Sequence, residues 1–332
     1  MKIARNILIV VMIAFAGAIV WAMTTTGEIT DSENKITIRF GHGAAETNER
    51  HLAVVKFKEL AEERSNGKIE VLIYPNEVLG SEAEMIESVT LNDLQMVAAG
   101  AFSQYDPRIG VFELPYLFDS YEQAWEVLDG PIGGEVAEIF LKDNLRILAY
   151  FENGFRHVTS NKPVEKPEDL KGVKIRTPEN PLSIRTFDAF GSNPTPMAFG
   201  ELYTGLQQGT VDAQENPVAN TYASRLYEVQ DYVNLTGHQY MPLPVAISEE
   251  FWQTLPEDLQ EIIFDCAREA AQYHRDLIKQ NEEKILAEME AAGATVVEAD
   301  KEAFKALVDP VYDYFRSKYG DDLLDKVLDA IE

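Results

Sequence analysis

The sequence predicts an α/β protein of two lobes separated by a cleft, with one long helix spanning both. Three observations carry that prediction. From Ile36 onward, short apolar runs with strand alternation take turns with segments of helical period, the order that builds a largely parallel sheet. A second series of the same kind begins after Asn153-Gly154. Between Leu255-Pro256 and Ala292 a helical pattern continues with no proline or glycine inside it, about 55 Å of helix if unbroken, which is more than one lobe holds.

The chain opens on Lys2 and Arg5, then an apolar run from Ile7 to Met23 that would make a helix of about 25 Å against a bilayer core of about 30 Å. That composition marks residues 1–26 as a targeting segment, either a signal peptide or a short N-terminal anchor. Ala16-Gly17-Ala18 and Trp21-Ala22-Met23 are imperfect cleavage sites, so both readings stand. The only cysteine is Cys266, which excludes a lipoprotein anchor, a disulfide within the chain and a CxxC motif. Either leader predicts an exported protein, periplasmic or otherwise extracytoplasmic.

Ile36, Ile38 and Phe40 alternate as a strand, and a helix starts near Asn48 and stops at Ser65-Asn66-Gly67, before the strand KIEVLIY. Ser81 with Glu84 forms a capping box for the next helix, and LQMVAA, Leu94 to Ala99, reads as a buried strand. VFELPYLF is too apolar for a surface loop and is expected between the lobes. After two short helices comes the strand Arg146–Glu152, which Asn153-Gly154 is expected to end. The second series holds the strand VKIR, a helix from Leu182 to Phe190, and strands near Tyr232–Leu235 and Val245–Ser248. In the long helix Leu259, Ile262, Cys266, Ala270, Tyr273, Leu277, Ile285 and Met289 mark the apolar face, and short amphipathic helices after Lys301 are expected to close the second lobe.

A chain of 332 residues with 45% hydrophobic and 26% charged residues is an ordinary globular composition, long enough for two cores. Its net charge of −27 is not ordinary. Nucleic acid is excluded as a partner, because its phosphates would be repelled and no basic run offsets that. The acidic coat reads as a solvated surface. Screening over about 8 Å lets arginines inside a cleft outweigh such distant carboxylates, so an anionic ligand stays open. The histidines at positions 42, 51, 157, 238 and 274 show no HxH or HxxxH spacing, and neither a metal nor a cofactor is expected.

Function concentrates in three stretches. PTPMAFGELYTGLQQGTVDAQENP, Pro194 to Pro217, is pinned by proline at both ends, carries a short helix of Phe199, Leu202 and Leu206 that Gly209 ends, and returns through the polar run Asp212–Asn216. An ordinary helix–turn connection is the alternative. ENGFRHVTSN surrounds Arg156, and KGVKIRTPENP places Arg176 at the carboxyl end of its strand, the edge where open α/β sheets hold ligands. A guanidinium there offers a planar fork to a carboxylate, or else a structural ion pair.

Together these stretches resemble the extracytoplasmic solute-binding proteins of the tripartite ATP-independent (TRAP) transporters, from about Ile36 to the C-terminus. The resemblance implies a two-lobed, periplasmic-binding-protein-like fold, with residues 34–153 and 242–281 in lobe I and residues 154–241 and 282–332 in lobe II. It aligns Arg176 with the arginine that clamps the substrate carboxylate, Arg156 with a second arginine that contacts or supports the same group, Asn216 with an orienting asparagine, and Phe199 with an aromatic that covers the ligand. The chain departs from sialic-acid-binding members at Gly43, Gly100 and Ser103, which speaks against sialic acid. His42, Glu82, Ser103 and Gln104 are the expected polar contacts from the other lobe, and His238 is either a contact or a structural histidine.

The expected function is therefore that of a TRAP receptor, not an enzyme. It would bind a small carboxylate, a hexuronate or a C4-dicarboxylate, by an arginine clamp and lobe closure, and deliver it as a monomer to the membrane permease subunits. Alternatives are an exported hydrolase acting on an acidic sugar, for which Asp212 and Glu215 would be the carboxylate pair, and a ligand sensor serving a signalling partner.

Overall fold

The computed structural model describes residues 35–331, so the leader expected over residues 1–26 lies outside the described residues. The strands are β1 (Ile36–His42), β2 (Ile69–Tyr74), β3 (Met96–Ala98), β4 (Leu145–Ser160), β5 (Lys174–Thr177), β6 (Asn193–Pro196), β7 (Ala213–Pro217), β8 (Tyr232–Ser248) and β9 (Thr295–Glu298). They join one sheet in the order β2-β1-β3-β8-β4-β7-β5-β6, with β9 added beside β8. β1 pairs parallel with β3, and β5 parallel with β6 and β7. Each of these parallel pairs is joined through at least one intervening helix, as parallel neighbours require.

β4 and β8 organise the rest. They run antiparallel from Leu145 opposite Ser248 to Ser160 opposite Tyr232. At one end β3 lies on β8, with Met96 opposite Ile247; at the other, β7 lies on β4 and β9 on β8. Both strands thus belong to both halves of the protein.

This corrects two expectations. Asn153-Gly154 does not end a strand: the register shifts between Glu152 and Gly154, and Gly154, at φ +102°, carries a bulge through which β4 continues. The strands expected near Tyr232–Leu235 and Val245–Ser248 are one strand, β8, despite Pro242 and Pro244. Those prolines fall between the stretches paired with β9 and β3, where that edge of β8 has no strand neighbour and a missing N–H breaks no ladder.

Local signals hold elsewhere. Asn48 caps the helix Glu49–Arg64 by accepting from the Arg50 N–H, and Ser81 and Glu84 close the capping box of Glu82–Thr90. The long helix, Glu257–Ala291, packs on Glu49–Arg64 and β4. Of its expected face Leu259, Cys266, Ala270, Ile285 and Met289 are buried, but Ile263 is buried in place of Ile262, and Tyr273 is exposed while His274 and Arg275 face inward.

VFELPYLF packs as expected of its apolarity. Val111, Phe112, Leu114, Leu117 and Phe118 are buried in one core with Phe140 and Tyr150, and the Tyr116 N–H donates to the His238 carbonyl at 3.1 Å. The C-terminal stretch divides. Phe304 and Val308 pack with Val158, Ile175 and Phe187, whereas Val311, Phe315, Leu324 and Val327 join the core of Phe112 and Phe140. Among the described residues no helix is long and apolar enough to cross a membrane.

Candidate ligand-binding site

At the midpoint of the β4–β8 pair the chain encloses a cavity of about 60 Å³. Arg176, at the carboxyl end of β5, reaches it from one side. Its Nε and Nη2 both donate to the Met197 carbonyl, at 2.9 and 2.7 Å, which fixes the plane of the guanidinium. Among the described residues it has no ion pair within 4.0 Å. Burial pushes its pKa down to about 10, against the attraction of Glu215, and it keeps its charge at neutral pH. The Phe199 ring covers it, 5.8 Å from centroid to guanidinium carbon.

Arg156, on β4, is already matched. Its Nε and Nη2 grip the Glu215 carboxylate on β7, with Nη2 2.9 Å from Oε1, and Nη2 also donates to the Glu215 carbonyl at 2.8 Å and the Asn216 Oδ1 at 3.3 Å. Burial would raise the Glu215 carboxyl, but Arg156 and the bond to His238 outweigh it and hold the group down at about 2. Of the polar run Asp212–Asn216, all but Asp212 lie in the buried strand β7. Its polar side chains stay inside because each finds a partner: Gln214 donates to Thr159 and Asn216 donates to Gln214, at 2.9 and 2.6 Å. Asp212 instead accepts from the Lys174 N–H at the surface, so Asp212 and Glu215 do not form an opposed pair.

The facing wall comes from the loops after β1 and β3 and from two helix starts. Arg50 Nη1 lies 2.6 Å from the Glu82 Oε1, whose other oxygen accepts from the Gly100 N–H at 2.7 Å. Arg50 Nη2 donates to the Asn153 Oδ1 at 3.1 Å; Asn220 donates to the same oxygen at 3.0 Å and accepts from Asn48 at 3.1 Å. These amides link the two sides of the cleft. Ser103 and Gln104 complete the wall.

Arg176, Arg156, Asn216, Phe199, Glu82, Ser103 and Gln104 therefore line one cavity, as the sequence groups them. His42 and His238 do not. Both are fully buried and stand outside its lining. His42 accepts the Ala44 N–H at Nδ1, so its Nε2 carries the hydrogen and donates to His51 at 3.1 Å; burial and Arg50 lower its pKa to about 3. His238 bridges Thr236 and Glu215, at 2.8 and 3.2 Å, a structural position. Sequence reasoning missed Arg50, Asn153 and Asn220. Arg50 sits in a first helical turn that looks like solvated surface, and Asn153 beside Gly154 looks like a strand terminator.

The profile of the bacterial extracellular solute-binding proteins, family 7, matches residues 40–318. The chain belongs to this family. Relatives of this family 7 protein include the 2,3-diketo-L-gulonate-binding periplasmic protein of Escherichia coli, 37% identical, covering 89% of this chain and 92% of the relative. Solved TRAP periplasmic solute-binding proteins share its two-lobed fold. One from Polaromonas, bound to D-erythronate, has a TM-score of 0.86 at 33% identity over 89% of this chain and 98% of its own. Another from Roseobacter denitrificans, bound to L-galactonate, has a TM-score of 0.84 at 34% identity over 91% and 100%. Family 7 proteins are solute receptors of TRAP transporters that bind sugar acids and other carboxylates, and the long helix of this one is the element that spans both lobes.

Proposed function

We propose that the protein is the exported receptor of a TRAP transporter, in which Arg176 clamps the carboxylate of a small hydroxylated acid and the two lobes close on it. One observation carries the assignment of the anchor: Arg176 is buried in the cavity and makes no ion pair within 4.0 Å among the described residues, while its neighbour Arg156 is neutralised by Glu215. A buried cation directed at a cavity favours an anionic guest, held by charge-assisted hydrogen bonds. Arg156 and Asn216 orient the carboxylate, Phe199 covers it, and Glu82, Ser103 and Gln104 read the remainder of the molecule.

Lobe I would comprise residues 34–153 and 242–281, joined by the last two helices that pack on Phe112 and Phe140, and lobe II residues 154–241 and the chain from 282 to Val308, in place of the whole stretch 282–332, with the long helix and the β4–β8 pair between them. Ligand binds the closed arrangement better and so shifts the population toward it, and the closed form is what the permease subunits read. The leader over residues 1–26 would carry the protein out of the cytoplasm. Titration calorimetry with uronates, aldonates and C4-dicarboxylates tests this reading. Stoichiometric binding of an acid that is returned unchanged is the expected result; turnover of an acidic glycoside would replace it with a hydrolase.

A further inference from the structure

We infer that the solute is a monocarboxylic polyhydroxy acid, and that Glu82 sets this choice by neutralising Arg50 and denying the far end of the cavity to a second carboxylate. The inference rests on the carboxylate-clamp reading of the same cavity.

Three guanidinium groups line the cavity: Arg50, Arg156 and Arg176. Two of them already have a carboxylate. Glu215 holds Arg156 from its buried side, and Glu82 holds Arg50 at 2.6 Å. Arg176 donates only to a neutral carbonyl. One unmatched cation answers one carboxylate. A second carboxylate at the other end would face Glu82, and like charges in a poorly solvated cavity repel strongly.

Glu82 is held in place. Its two oxygens are fixed separately, Oε1 by Arg50 and Oε2 by the Gly100 N–H. The sequence also keeps room for it: a Cβ on Gly43 would stand 2.9 Å from the Glu82 Oε1. Glu179, at the cavity's edge, adds charge of the same sign.

What this wall offers instead suits hydroxyl groups. Asn153, Asn220 and Gln104 are carboxamides that both donate and accept, and the Glu82 carboxylate accepts. Ser103 is 3% exposed and its Oγ has no partner within the described protein, a buried hydroxyl that a ligand hydroxyl would satisfy. A carboxylate end group can use none of the acceptors.

The test is calorimetric affinity of the purified protein for D-erythronate, L-galactonate and D-glucuronate against succinate and malate, in the wild type and in Glu82→Gln, Ser103→Ala and Arg176→Gln. The wild type is expected to bind at least one polyhydroxy acid about 100-fold or more tighter than either dicarboxylate. Glu82→Gln keeps an acceptor for the Gly100 N–H and frees the Arg50 charge, so it should narrow that ratio by about tenfold or more. Ser103→Ala should weaken the polyhydroxy acid by about tenfold and leave the dicarboxylates unimproved. A wild type that binds succinate or malate as tightly as any polyhydroxy acid overturns the inference, as does an unchanged ratio in a Glu82→Gln protein that unfolds at the wild-type temperature. If Glu82→Gln does not fold, Ser103→Ala with full affinity for the polyhydroxy acid overturns it. Arg176→Gln separates the two readings: retained acid binding there removes the clamp itself, whereas loss there beside an unchanged Glu82→Gln ratio removes only the present inference. A wild type that binds no acid of the panel removes both.

Discussion

Arg156 and Glu215 face each other across neighbouring strands, and the Arg156 Nη2 bonds both to the Glu215 carboxylate, at 2.9 Å, and to its backbone carbonyl, at 2.8 Å. Both side chains are nearly or wholly out of solvent. Removing one partner leaves the other charged and buried. Glu215→Leu or Arg156→Met alone should each destabilise the protein by about 3–5 kcal/mol, and the double variant should cost clearly less than the sum. Urea unfolding of the four proteins measures the cycle, and strict additivity would mean that the pair is not coupled.

Arg176→Ala should weaken acid binding by several kcal/mol, roughly a thousandfold, because the bound carboxylate loses its charged partner in a desolvated site. Arg176→Lys should restore little, since the single ammonium cannot hold both the Met197 carbonyl and the carboxylate in one plane. Calorimetry with the best acid reads both, and a lysine variant of wild-type affinity would show that charge alone suffices.

Glu152 gives a pH prediction. Burial raises its carboxyl to about 7, although Trp125 and Tyr240 donate to it. A raised carboxyl pKa means that the folded state holds its proton longer than the unfolded one, so this group's contribution to stability is present at low pH and is lost as pH rises from about 4.5 through about 7. Glu152→Gln removes that loss. Relative to wild type, it should gain on the order of 1–3 kcal/mol between pH 5 and pH 8. Denaturation curves at the two pH values decide it, and an equal difference at both would refute the linkage.

Gly154 should not tolerate alanine. Its φ of +102° is rarely open to an L side chain, and a Cβ would sit 3.3 Å from the Tyr121 hydroxyl. A loss of about 1–3 kcal/mol is expected in thermal unfolding. No change in melting temperature would mean that the bulge relaxes without strain.

The parts of this fold legible in the sequence are those governed by local chemistry. Alternation marked β1 and β2, the Ser81–Glu84 box marked a helix start, and the absence of proline and glycine marked the long helix. The rest depended on partners far away in the chain. β7 is polar, and its interior position is dictated by Arg156, Thr159 and His238, which no window around Asp212 contains. His274 and Arg275 turn inward because the Glu152 N–H and the Tyr150 carbonyl, on β4, bond to them at 3.2 Å each. In the cavity, the charged side chains near a glycine or a strand end were visible, while Arg50 in its first helical turn was not.

The pairing of β4 with β8 from end to end, irregular at its middle, has a mechanical consequence. Their register slips between Ile147 and Ala149, between Glu152 and Gly154, and between Arg156 and Val158, so the irregularities bracket the cavity level while regular ladder lies at both ends. A ribbon of two bonded strands resists sliding, because sliding would break every rung at once, but it bends where rungs are already missing. The lobe movement proposed above would thereby be restricted to a fold about one axis, like a book on its spine. Asn153 and Arg156 sit on that spine and line the cavity, so under the proposed reading the residues that would meet the solute are also those whose backbone would flex when it arrives.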